Sequence, residues 1–206
     1  MKNLNNSNIY MDENYLEKQI KGLQDMCNNV IILYNEHAKG NQELTNLANL
    51  TYYILWNYLK SLTALKILFS ASTQYEQDFA KGQLCVTINE CTKHIIGFSK
   101  QREESFWNQE MANFIYIHQK YKEQYIKLKE NWVAFADGFD GNAKLKDFRD
   151  IATHGDKKIE NLIKLHELSV FQIGHYLNEW EKIMLPTAHY IFTCFENECQ
   201  QEMNNK

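Results

Sequence analysis

The chain has 206 residues, enough for one domain with a sizeable core and short for two. Apolar residues make up 44% and aromatics 13%, which excludes a disordered chain; with only 8 Gly and 1 Pro, long helices are favoured over strands. The net charge of −4 excludes a broad nucleic-acid scavenger, because non-specific affinity comes from neutralising many phosphates, so any RNA contact has to be local.

Residues 1–11 read as a loose polar tail, and residues 12–206 as a single helical domain. A first helix is predicted over residues 12–37, with Ile20, Leu23, Cys27, Val30 and Leu33 as its apolar stripe. Lys39-Gly40-Asn41 breaks it. A second helix follows over 42–70, where Leu44, Leu47, Thr51, Ile54, Tyr58, Leu62, Leu65 and Phe69 recur every three or four residues. A Ser-Ala-Ser-Thr turn leads to a third helix over 74–96, ending near Gly97. The fourth is predicted over 103–136, striped by Trp107, Met111, Phe114, Ile117, Tyr121, Tyr125, Leu128 and Trp132. After a loop with two glycines, a short helix spans 142–153, with Gly155 as its C′ residue and Asp156 as the cap of the next helix. The pattern then runs through Ile173, Leu177, Trp180 and Met184, and Pro186 is expected to end or kink it. The expected architecture is all-α: an up-and-down bundle of five to six main helices.

The five cysteines form no C-x-x-C pair and fit no zinc framework, so buried free thiols in a reducing compartment are expected. The first 15 residues lack the apolar run of a secretory leader. The most apolar stretch, residues 51–69, carries Asn57, Lys60 and Lys66, which argues against a membrane span. A cytoplasmic protein is expected. No Glu-x-x-His pair is present for a di-iron bundle, and neither a metal nor a cofactor is expected. Tyr52, Tyr53, Trp56 and Tyr58 have the chemistry to stack bases, but their helical spacing reads as core.

The chemistry-bearing segment is Arg149-Asp150-Ile151-Ala152-Thr153-His154. The chain has two arginines, Arg102 and Arg149, against 20 lysines, so an arginine here is a choice. A guanidinium is a rigid, permanently charged fork that suits phosphate oxygens. An imidazole gives and takes protons near neutral pH. Together they can hold a phosphate and move a proton beside it. Between Lys144 and Lys164, six basic residues (Lys144, Lys146, Arg149, Lys157, Lys158 and Lys164) face four acidic ones, a local excess of +2. Lys146, Lys157 and Lys158 are the candidate phosphate contacts, and the helix starting near Asp156 aims its N-terminus at the same place. The same residues also fit a solvated helix face, with Arg149 paired to Asp147 or Asp150.

Arg149, Asp150 and His154 match the Arg–polar–x3–His signature of the HEPN superfamily (higher eukaryotes and prokaryotes nucleotide-binding domains), and the chain resembles that family in its helical layout. The resemblance implies a metal-independent endoribonuclease of a toxin–antitoxin or phage-defence system. Arg149 would clamp the phosphate, His154 would act as acid/base and Asp150 would orient them. It also implies a homodimer with its active site at the two-fold interface, and an antitoxin partner. Glu90 and Lys93, followed by His94, resemble an acidic-then-basic segment found on an early helix of such domains and are possible accessory residues, one position closer than the usual form. A Glu90–His94 surface pair is the plain alternative. Asp156 stands where some members carry a modifiable tyrosine, so that regulation is not expected. The alternative to the enzyme is a non-catalytic helical module of the same fold that binds a nucleotide, RNA or protein.

Overall fold

The computed structural model describes residues 13–138, 141–154 and 159–204; the N-terminal tail predicted over 1–11 lies outside them. The described residues are all-α and form a helical bundle of eight α-helices without strands. These are α1 (Glu13–Leu33), α2 (Gln42–Ser70), α3 (Gln74–Ile95), α4 (Glu110–Ile117), α5 (Lys122–Gly138), α6 (Gly141–His154), α7 (Ile159–Glu167) and α8 (Val170–Asn204). Among them, no helix is long and apolar enough to cross a membrane.

Local chemistry sets the boundaries. A π-turn, Tyr34–Ala38, closes α1 and buries Ala38. Asn41 caps α2, its Oδ1 accepting from the backbone N–H groups of Glu43 and Leu44 at 3.0 and 3.2 Å. Thr73 and Glu76 form a reciprocal capping box at the start of α3. Gly97, at φ +72°, takes the left-handed conformation beyond the end of α3. α3 is central: it packs against α2, α6, α7 and α8, while α1 lies on α2 and α5 on α8. Trp107, Trp132 and Trp180 are fully buried in the shared core.

The single helix predicted over 103–136 is divided. The backbone N–H groups of Phe106 and Trp107 donate to the carbonyls of His94 and Ile95 at 3.2 and 3.0 Å. That loop satisfies the open end of α3 and cannot also be helical. A second break falls at His118, whose backbone leaves the helical region at φ −107°, ψ 70°. Its imidazole is held between Glu43 on α2 and Glu198 on α8, and stacks on Phe114. Ile117, beside this break, is exposed, and so is Phe69 at the end of α2.

Pro186 does not end the last helix: α8 continues through it to Asn204. Pro186 and Lys182, whose carbonyl loses its helical partner, are both exposed, so the forfeited bond lies on the solvent side of α8. Around it Met184, Thr187, Ala188 and Ile191 are buried, and the indole of Trp132 donates to Thr187 Oγ1 at 2.8 Å. This packing offsets the cost of a mid-helix proline. All five cysteines are free and buried; burial pushes the Cys85 and Cys194 thiols up to about 12.

One buried charge organises the site's surroundings. Lys81 of α3 is 2% exposed. Its ammonium donates to the carbonyls of Leu165, His166 and Leu168 at 3.2, 3.1 and 3.0 Å, and pairs with Asp78 at 2.9 Å. It therefore satisfies the carbonyl end of α7, where a cation is favoured. Burial works to raise the Asp78 pKa, but hydrogen bonds from Lys81, Gln74 and His166 win and hold it below the usual 3.8. Its contribution to stability is present above that value and lost as pH falls through the depressed one. Replacing Lys81 by Met leaves three carbonyls and a carboxylate without their cation. Urea denaturation should show a loss of about 3 kcal/mol; an unchanged midpoint would show that the ammonium is not a structural tie.

Candidate functional site

α6 carries Arg149 and docks on α3 by its apolar side, with Leu145 and Ile151 buried and Phe148 half-buried. The approach is close because Gly82 has no side chain: a Cβ there would stand 3.0 Å from Ala152 Cβ and 3.8 Å from Leu165 Cδ2. Gly82 follows Lys81 directly, so one turn of α3 fixes both α6 and α7. These two helices flank residues 155–158, which follow the Arg–His segment.

Arg149 lies at the edge of the packed side of α6, its side chain 19% exposed. Glu90, on α3 two turns beyond Gly82, reaches its Nη1 with Oε1 at 3.0 Å. Asp150 places Oδ1 3.0 Å from Nε, but off the N–H direction. Nε is therefore buried without an in-line acceptor. The guanidinium is flanked by two carboxylates and keeps a donor unsatisfied. Arginine has five N–H donors, more than Glu90 and Asp150 engage, and 19% of the side chain is exposed. The hydroxyl of Thr153 donates to the Arg149 carbonyl at 2.8 Å.

His154 is the last residue of α6; its side chain lies outside the described residues, as do Gly155, Asp156, Lys157 and Lys158 in full. Because the helix includes both positions, Arg149 and His154 start about 140° apart around its axis. Lys146, one turn before Arg149, is exposed on α6.

Of the two predicted accessory residues, the structure brings Glu90 to Arg149. Glu90 pairs with Arg149, not with His94 as a surface pair would have it. Lys93, Glu90 and His94 line a polar cavity of about 350 Å³ together with Tyr53, Glu104 and Ser105. The His94 ring packs on Tyr53 at 4.4 Å and lies 6.3 Å from Phe106. The Tyr53 hydroxyl donates to the Glu90 carbonyl at 3.4 Å. His94 is thus a second imidazole on the same cavity as Glu90, and sequence reasoning did not choose it as a site residue. Its signal was present, since it stands four residues after Glu90 on one helix face.

A Gly82→Val substitution tests this docking. The added methyl groups meet Ala152 Cβ, which is fixed to backbone and cannot rotate away, so α6 has to shift. The expected cost is about 1–3 kcal/mol, with α6 amides losing hydrogen-exchange protection more than those of α2. Unchanged protection across α6 would contradict the close approach.

No family model, curated protein or solved structure matches the chain.

Proposed function

We propose that this chain is a metal-independent endoribonuclease of the HEPN type. The observation that supports it is the Arg149 guanidinium, mostly buried between Glu90 and Asp150, with Nε lacking an in-line acceptor, on the last turns of the helix that His154 ends. A permanent, partly exposed cation beside a helix end suits a phosphate.

In the proposed reaction, the ribose 2′-oxygen attacks the adjacent phosphorus as its proton passes to a base. The P–O5′ bond breaks, and the leaving 5′-oxygen receives a proton from an acid. The products are a 2′,3′-cyclic phosphate and a 5′-hydroxyl. His154 carries the proton transfers, Arg149 neutralises charge on the non-bridging oxygens, and Asp150 holds the guanidinium in place. Glu90 is a positioning residue: it anchors Nη1 from a different helix. Lys146, Lys157 and Lys158 supply the local positive potential that the acidic chain otherwise lacks.

One Arg–His pair separated by about 140° of helix turn makes a sparse site. A two-fold homodimer that faces the two sets across one cleft doubles the cationic groups on the same phosphate. A ribonuclease of this kind fits a cytoplasmic toxin or phage-defence role, with an antitoxin as the restraining partner. A second reading, a non-catalytic binding module, is favoured by one observation: the two carboxylates beside Arg149 have the form of a structural ion pair.

Incubation of the purified protein with RNA in EDTA separates the readings. The wild type is expected to leave 2′,3′-cyclic phosphate ends. His154→Ala should lower the rate at least about a hundredfold, and Arg149→Ala comparably. Equal behaviour of all three proteins, or cleavage only on addition of a metal, would discard the enzyme.

A further inference from the structure

A second recess opens on the bundle next to the Arg149 cluster. It is an open groove of about 510 Å³, with walls from α1, α2 and α3. Tyr52, Trp56, Ile31 and Phe79 give it an apolar surface, and Gln83 and Lys60 give it polar points. Trp56 had the helical spacing of a core residue, yet it is 42% exposed; Phe79 and Ile31 are exposed as well. Its indole lies nearly parallel to the Tyr52 ring, with centroids 6.0 Å apart and planes at 11°.

Charge narrows the occupant. Among the described residues that line the groove, Lys60 is the one ionic side chain and no carboxylate is present. Lys60 stands one helical turn from Trp56, and no described carboxylate pairs with it. A flat apolar face with an unpaired cation beside it suits a planar ring that carries an anion, and a groove of this volume is of ligand size.

Position narrows it further. Gln83 and Thr87 of α3 line the groove, and Glu90, which holds Arg149, continues the same face of that helix. By helical rise Gln83 and Glu90 are roughly 10 Å apart along the axis, the span of a dinucleotide. Tyr52 lines the groove and Tyr53 the Glu90 cavity. The two recesses therefore adjoin along both α2 and α3.

We propose that the Tyr52–Trp56 face stacks an unpaired base of the single-stranded RNA whose backbone engages Arg149, with Lys60 meeting a phosphate of the same strand. This assignment rests on the ribonuclease reading. Stacking on an aromatic is tolerant of sequence, so the groove gives the enzyme a preference for unpaired RNA over duplex without a base code. The grip comes from one aromatic face and one cation, which an acidic protein can supply locally.

The test is fluorescence anisotropy with a 2′-O-methyl oligonucleotide, which binds but lacks the attacking hydroxyl. Trp56→Ala and Lys60→Gln should each weaken binding about tenfold, while Trp56→Tyr retains most of it and Phe171→Ala, at an exposed side chain that does not line the groove, changes nothing. A strand with abasic sites should bind the wild type about as weakly as the intact strand binds Trp56→Ala. Thermal unfolding of each variant controls for misfolding. If the wild type binds and cleaves RNA and the two groove variants match it, the groove assignment fails and the ribonuclease reading stands. If the wild type neither binds nor cleaves RNA, both fail. If Trp56→Ala instead changes the oligomeric state and leaves RNA affinity intact, the face is an interface between copies and the assignment is overturned.

Discussion

A single turn of α3 holds the candidate site together. Lys81 turns its ammonium inward onto the carbonyl end of α7, and Gly82, the next residue, lets α6 approach to the distance where a side chain would collide. A buried ammonium is tolerable only because three carbonyls and the Asp78 carboxylate surround it. The result is a fixed frame on either side of residues 155–158. Both flanking helices are thereby anchored on the same turn of α3.

The same helix reaches the chemistry. Two turns beyond Gly82, Glu90 crosses to Arg149 and fixes the guanidinium from outside its own helix. Asp150 crowds Nε without satisfying it. A site built this way is poised between two uses. As it stands, the cation balances two carboxylates at the edge of a packed interface. In the proposed reading a phosphate meets the exposed part of the fork, and the carboxylates keep the fork from swinging out.

Much of this was legible in the sequence, and the failures have physical causes. The boundaries of α2 and α3 follow from Asn41, the Thr73–Glu76 box and Gly97, all local signals. The apolar stripe of α2 marks the core down to Tyr58 and Leu65. Tertiary contacts were invisible. His118 leaves the helix because Glu43 and Glu198, far away in sequence, hold its ring. Pro186 stays inside α8 because the bundle packs around it and its missing bond faces water. Trp56 fits the apolar period, yet no described helix covers it. At the candidate site, the sequence shows Arg149 and Asp150 side by side, and the structure keeps them as an ion pair. The Glu90–Arg149 pair joins residues 59 positions apart, and only the packing of α3 against α6 reveals it.

The central claim is that one phosphate is shared by the Arg149 guanidinium and the His154 imidazole. The most direct measurement follows the His154 ring resonances by NMR while a 2′-O-methyl oligonucleotide is added, in the wild type and in Arg149→Ala. The account predicts a saturable shift of those resonances in the wild type that disappears when the guanidinium is removed. His154 resonances that ignore RNA, or that respond identically without Arg149, would contradict it.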